Sequence, residues 1–125
     1  TSACRKAVKP VFENFDQLLF YPLQYEGLEQ SPNIVYTGAA PNQQIIPAIH
    51  WALEHLGRRL FLLGSDYIFP RTANLLIRDL AALQQADIVG ERYLPLDPGK
   101  IDADQLQAII DDIARLQPEG IINTV

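Results

Sequence analysis

Two aromatic residues stand where the chain leaves an apolar run. The segment RLFLL (59–63) has the composition of a buried strand, and the stretch GSDYIFPR (64–71) then turns the chain with Gly, Ser and Asp. A surface loop is normally polar, yet Tyr67 and Phe69 lie in this one. Because aromatic walls exclude water from ligand pockets, the pair is a candidate for one side of a binding site.

Hydroxyl groups are predicted at the same edge of the fold. Tyr21 closes the apolar run QLLFY (17–21), and Thr1 and Ser2 open the first predicted helix. Strand carboxyl ends and helix N-termini meet at one edge of a parallel sheet, where helix N–H groups bind polar atoms. Since no ring of Lys or Arg accompanies them, these residues predict a pocket for a small, neutral, polar ligand. The alternative is that each tyrosine packs on its own loop.

Residues that could carry catalysis or a metal form no recognised pattern. His50 and His55 are five apart on a predicted helix, which does not suit a metal pair. Neither a G-x-S-x-G elbow nor a phosphate-binding glycine motif is present. Cys4 is interpreted as a buried, inert thiol, and Asp66 as a turn or helix-capping residue. We therefore expect no catalytic residue, no metal and no cofactor.

The spacing of apolar residues predicts alternating helices and strands in the order α-β-β-α-β-α-β-α-β. The helices are predicted over 5–15, 45–56, 71–85 and after Asp102, and the strands over 17–21, 34–38, 59–63, 87–95 and 120–125. Asp102 is predicted to cap the last helix, with Gln105 completing a capping box. This alternation predicts an α/β fold, a three-layer αβα arrangement with a mostly parallel sheet.

Composition narrows the class of protein. The chain has 125 residues, 48% of them hydrophobic, and a net charge of −5, which argues against a nucleic-acid partner. The basic cluster of Arg5, Lys6 and Lys9 is interpreted as a solvated helix face. Length alone predicts one domain. Because methionine and any targeting segment are absent and the chain starts inside a helix, we expect a piece of a longer, exported protein.

Three long strings carry a resemblance to a known family. TSACRKAVKPVFE, LLFYPLQYEGLEQSPNIVYTGAAPNQQ and GSDYIFPRTAN resemble the urea-type substrate-binding proteins of bacterial ABC transporters, and also the amide-sensing regulator of the aliphatic amidase operon. Both belong to the type I periplasmic-binding-protein superfamily. The similarity runs over nearly the whole chain and is ungapped through residue 71. It implies two α/β lobes, with 1–38 in a partial first lobe, 39–44 as a hinge crossing and 45–125 in a partial second lobe.

The resemblance also implies roles for individual residues. Ser2 falls on a serine that offers its hydroxyl and N–H to the ligand amide, and Tyr21 on an aromatic of the first-lobe pocket. Tyr67 falls on the second-lobe tyrosine that closes over the ligand, and Phe69 on its aromatic neighbour. The amide regulator carries threonine in place of Leu23 and tyrosine in place of Phe69, whereas the urea-type proteins resemble this chain at both positions. Urea is therefore favoured over longer aliphatic amides.

Three functions remain open at this point. The first is a solute-binding protein that captures urea or a short amide and delivers it to an ABC permease, outside the cytoplasm. The second is the input domain of a signalling protein or amide-responsive regulator, which in the regulator's case would be cytoplasmic. The third is an amidase, which lacks an evident nucleophile and base. Uncovered sheet edges and apolar faces further predict that this piece self-associates when it is alone.

Overall fold

The computed structural model describes residues 1–125, and its elements follow the predicted order. The helices are α1 (Ser2–Asn14), α2 (Ile45–His55), α3 (Ile68–Leu83) and α4 (Ala103–Leu116). The strands are β1 (Leu19–Tyr21), β2 (Ile34–Tyr36), β3 (Arg59–Ser65), β4 (Asp87–Leu94) and β5 (Gly120–Thr124). A 3₁₀ turn at Pro98–Lys100 precedes α4. No helix combines the length and the apolar character that crossing a membrane requires.

The strands form two separate sheets in which every pairing is parallel. One sheet holds β1 and β2, with Leu19 beside Ile34 and Tyr21 beside Tyr36. The other has the order β4-β3-β5. We call α1 with the first sheet the first unit, and α2 to β5 the second unit. The α/β class and the parallel strands predicted from the sequence are confirmed.

The second unit has three layers because its central strand is apolar on both faces. Leu60, Phe61 and Leu62 of β3 are fully buried. Leu62 packs with α2 and α3 in one core, whereas Phe61 packs with α4 in another. Helices therefore cover both faces of this sheet, as expected for a parallel sheet.

Helix α1 buries a different face from the one that carries Val11 and Phe15, two of the apolar residues whose spacing predicts the helix. Its two buried residues are Ser2 and Arg5, whereas Val11 and Phe15 are 52% and 72% exposed. The interpretation of Arg5 as part of a solvated face is therefore wrong. Arg5 turns inward because carboxylates of the following loop meet it there, as described below.

Two predicted details of the helix ends are also wrong. Helix α3 begins at Ile68, three residues earlier than predicted, because Pro70 sits in its first turn, where a missing N–H is tolerated. Asp102 does cap α4, accepting from the Asp104 N–H at 3.2 Å. Gln105 does not complete the capping box, since its amide donates to the Tyr93 carbonyl at 3.2 Å instead.

The exposed apolar residues of the first unit carry a prediction about the isolated chain. Phe15, Leu18 and Phe20 are each at least 60% exposed, and contiguous apolar surface promotes association. We expect the 125-residue chain on its own to self-associate, as measured by sedimentation velocity. A Phe15→Lys/Phe20→Lys variant should shift the population towards monomer. A wild-type chain that stays monomeric at tens of micromolar would contradict the prediction.

Candidate functional site

A cleft of about 300 Å³ lies where the two units meet. Seven side chains line it, and none is charged: Thr1, Ser2, Tyr21, Leu23, Gln24, Tyr67 and Phe69. The cleft thus brings together the four residues singled out in the sequence, although they come from α1, β1 and the start of α3. Thr1, whose hydroxyl was predicted at the same edge, also lines the cleft, and Gln24 is a lining residue that the sequence reasoning did not assign to a ligand.

Ser2 reaches the cleft because α1 begins there. Thr1 is the N-cap residue, and its hydroxyl oxygen accepts from the Cys4 N–H at 3.3 Å. Ser2 is the first helical residue and is only 3% exposed. The first N–H groups of a helix have no partner within it. The cleft wall at this point therefore offers both a hydroxyl and backbone donors.

Tyr21 is held in place by a backbone hydrogen bond and by a cation next to its ring. It ends β1, where its carbonyl accepts from the Thr37 N–H at 3.0 Å. The guanidinium carbon of Arg5 lies 4.8 Å from the centre of the Tyr21 ring. A cation over an aromatic face is attracted by the ring's electrons. The first-unit wall of the cleft is thus a buried, supported aromatic.

Tyr67 and Phe69 approach the cleft from the other unit. Tyr67 is the N-cap residue of α3 in an extended conformation (φ −152°, ψ 179°), so its side chain leaves the helix axis. Phe69 follows within the first helical turn. Burial raises the pKa of the Tyr67 phenol, and the negative charge of Glu26 and the nearby Tyr21 raise it further. The phenol therefore remains a hydrogen-bond donor at neutral pH.

A second, smaller cavity of about 190 Å³ adjoins the cleft. It shares Gln24, Tyr67 and Phe69 with the cleft and reaches Asn123 and Thr124 at the end of β5. The cleft therefore extends along the carboxyl edge of the second sheet, where ligands of parallel sheets bind. The sequence reasoning missed Asn123 and Thr124, which could have been found by asking which polar residues end the last strand.

A buried charge network lies behind the first-unit wall. The Arg5 guanidinium donates from Nη2 to Glu26 Oε2 at 2.6 Å and from Nε to Glu29 Oε1 at 2.8 Å. The Tyr36 hydroxyl also donates to Glu29 Oε1, at 2.7 Å. Burial alone would raise the pKa of both carboxyls, but their hydrogen bonds and the Arg5 charge hold it below the ordinary value.

The other reactive side chains lie away from this arrangement. Cys4 is exposed, so its interpretation as a buried thiol is wrong; the hydrogen bond from the Thr1 hydroxyl lowers the pKa of its thiol. Asp66 does not cap α3 but accepts from Arg71 Nε at 2.7 Å. His55 stacks on Trp51, with ring centres 4.6 Å apart. No group of three or more His, Cys, Asp and Glu side chains is arranged to hold a metal ion.

Gly38 packs closely against the backbone of two residues that line the cleft. A Cβ atom at this position would collide with the backbone carbonyl of Leu23, which lines the cleft together with Gln24. We expect Gly38→Ala to displace that loop, costing roughly 1–3 kcal/mol of stability and lowering ligand affinity roughly tenfold. Thermal melting and calorimetric titration of the intact protein measure the two effects.

The control for this variant is Gly99→Ala. The nearest atom to a Cβ on Gly99 would be a side-chain oxygen of Asp97 at 3.4 Å, an ordinary contact. Its stability should change by no more than about 0.5 kcal/mol. Equal effects of the two substitutions would show that the contact with Leu23 does not shape the cleft.

An uncharged cleft between two parallel α/β units is typical of a protein that captures a small molecule. A family model for the periplasmic binding protein domain matches residues 1–125. The chain therefore belongs to the periplasmic binding protein domain family, whose members generally bind solutes without converting them.

Proposed function

We propose that this chain captures urea or a short aliphatic amide for an ABC-type uptake system, outside the cytoplasm. The observation that carries the proposal is the composition of the cleft, which has hydroxyl, amide and aromatic groups but no charged side chain. A charged solute would leave its charge unpaired in such a site, at a high cost in free energy. A small neutral solute with its own donors and acceptors meets no such cost.

The two units correspond to parts of the two lobes in this proposal. Residues 1–38 form the partial first lobe and residues 45–125 the partial second lobe, with 39–44 crossing between them as the hinge. The crossing is short and turn-rich, with the Gln43 N–H bonded to the Ala40 carbonyl at 2.9 Å. Closure of two lobes about such a crossing would bury the ligand, as in other binding proteins that move about a hinge.

The chemistry of the two walls suits an amide-like ligand. On the first-lobe wall, Ser2 presents a hydroxyl and Tyr21 a ring face. On the second-lobe wall, Tyr67 presents a protonated phenol that can donate to a carbonyl oxygen. Urea and short amides combine a carbonyl with NH₂ groups in a planar shape that stacks between rings. Ser2, Tyr21, Tyr67 and Phe69 are therefore proposed as the ligand contacts.

Calorimetric titration of the intact protein tests the proposal. Urea, acetamide and leucine are added separately to the wild type. We expect saturable binding of urea and weaker binding of acetamide, because the cleft is small and uncharged. Binding of leucine alone would overturn the ligand assignment while leaving the fold intact. Release of ammonia from bound ligand would instead indicate an enzyme.

The choice of urea over longer amides depends on two cleft residues. Leu23 and Phe69 both line the cleft, and both have apolar side chains. Leu23→Thr with Phe69→Tyr adds two hydroxyls, as the resemblance to the amide regulator suggests. We expect the ratio of acetamide to urea affinity to rise roughly fivefold, since a matched hydrogen bond contributes about 1 kcal/mol. An unchanged ratio would show that these positions do not set the ligand preference.

A further inference from the structure

A buried carboxylate beside the cleft has one oxygen occupied and one free. Glu26 is 6% exposed, and its Oε2 accepts from Arg5 Nη2 at 2.6 Å. Its other oxygen, Oε1, is buried without a hydrogen-bond partner, and so is Nη1 of Arg5. A buried acceptor without a partner carries an energetic penalty. A donor close to Oε1 would remove it.

Ser2 is a candidate hydroxyl donor for this carboxylate. Ser2 and Arg5 are three residues apart on α1, so they lie on the same helix face, and both are buried. Hydrogen bonding from Ser2 is one of the influences that lower the pKa of Glu26 against the opposing effect of burial. An ionised carboxylate has no proton to give. In this pair the hydrogen must therefore come from Ser2.

We propose that Glu26 is a positioning residue that accepts a hydrogen bond from the Ser2 hydroxyl and so turns the lone pairs of Ser2 Oγ towards the cleft. A hydroxyl has one proton and two lone pairs, so a committed proton leaves an acceptor on the cleft side. The inference rests on the proposed function and deepens it. The ligand then places an N–H group at Ser2 and its carbonyl oxygen at Tyr67, and a solute without an N–H group is disfavoured.

Arg5 makes this arrangement rigid and gives a sharp substitution. Its Nη2 and Nε atoms hold Glu26 and Glu29, so the Glu26 carboxylate cannot turn freely. In Glu26→Gln, Arg5 retains the side-chain oxygen, because a guanidinium only donates. The new NH₂ group then faces Ser2, whose hydroxyl must accept from it. Ser2 would present a donor to the cleft instead of an acceptor.

Calorimetry on the intact protein measures the consequence with urea and acetamide. We expect Glu26→Gln to lower the affinity for both by roughly tenfold, the range of one hydrogen bond. Glu29→Gln is the matched control, since it also removes a charged partner of Arg5 but does not contact Ser2; its affinity should stay within about threefold. Equal losses in the two variants would overturn the proposal.

A double-mutant cycle separates positioning from general damage. Once Ser2→Ala has removed the hydroxyl, adding Glu26→Gln should cause no further loss of affinity, because the two residues act on the ligand through one atom. Losses that multiply in Ser2→Ala/Glu26→Gln would overturn the proposal. Thermal melting of each variant establishes that it is folded before it is titrated.

A ligand-free measurement decides the case if Glu26→Gln does not fold or if neither ligand binds. The Glu26 carboxyl is titrated by ¹³C NMR in the wild type and in Ser2→Ala. Loss of the donated hydrogen bond should raise the pKa of Glu26, and an unchanged pKa would overturn the inference. If neither urea nor acetamide binds the wild type, the proposed function fails, and this titration alone judges the pairing of Ser2 with Glu26.

Discussion

Tyr67→Ala is expected to lower the affinity for urea or acetamide by a factor of roughly 30 to 1,000, equivalent to about 2–4 kcal/mol. The loss is large because Tyr67 contributes both a ring wall and a phenolic group to the cleft from the second unit. Truncation would open the cleft to water at the point where the two units meet. Calorimetric titration of the intact protein measures the change directly.

One further variant measures how much the Tyr67 hydroxyl contributes to affinity, and a second variant is a control. Tyr67→Phe keeps the ring and removes the hydroxyl, so it should cost roughly tenfold, about one hydrogen bond. Trp51→Ala removes an aromatic on α2 of the same unit; Trp51 is 55% exposed and does not line the cleft. It should leave the affinity unchanged. A Tyr67→Ala protein that binds as tightly as the wild type would exclude Tyr67 from the site.

The dependence on pH gives a second check on the phenol. Burial and the Glu26 charge raise the pKa of Tyr67 above its ordinary value of 10.0. The donor is therefore present throughout the neutral and mildly alkaline range. We expect the contribution of Tyr67, measured as the affinity ratio of wild type to Tyr67→Phe, to be constant up to about pH 9. A ratio that collapses near neutral pH would mean that the phenol ionises and does not donate.

The order of elements could be predicted because each signal was local. Apolar runs such as 59–63 gave the strands, and three- and four-residue spacing gave the helices. The four proposed contact residues could also be predicted from the sequence, because strand ends and helix starts converge at one edge whatever the details of packing. The resemblance added the division into two lobes, which no local signal contains.

The orientation of α1 could not be predicted from its own residues. Val11 and Phe15 belong to the apolar spacing that predicts the helix, yet the structure buries Ser2 and Arg5. Which face of α1 is buried depends on Glu26 and Glu29. These residues are more than twenty positions from Arg5 and attract it only once the loop has folded over the helix. One clue was available: Ser2, expected at the cleft, lies one turn from Arg5, so the two share a face.

Arg5→Met is expected to destabilise the protein by roughly 3–5 kcal/mol. The substitution keeps the length of the side chain but leaves Glu26 and Glu29 buried without their cation. The Arg5 side chain is 0% exposed, and those of Glu26 and Glu29 are 5% and 10% exposed, so water cannot replace it. Thermal melting of the intact protein measures the loss; urea is avoided as a denaturant because it is the proposed ligand.

Lys6→Met is the matched control for this prediction. Lys6 also approaches Glu29, with Nζ 3.7 Å from Oε2, but its side chain is 44% exposed. Such a pair contributes about 0–1 kcal/mol, because water and salt screen it. Similar losses of stability in Arg5→Met and Lys6→Met would show that burial does not strengthen the contribution of Arg5.

Lowering the pH should act through the same network in opposite directions, weakening the stability of the wild type and relieving the destabilisation of Arg5→Met. In the wild type, the pKa values of Glu26 and Glu29 lie below the ordinary value of 4.5, so their stabilisation is complete above that pH and is lost as the pH falls through the folded-state values. In Arg5→Met, burial without a cation raises both pKa values, so acid relieves the unpaired charges. The gap in stability between the two proteins should therefore be widest at neutral pH and narrow towards pH 4. A gap that is independent of pH would mean that Arg5 acts through packing alone, and Tyr21 would then owe its position to the shape of the Arg5 side chain and not to its charge.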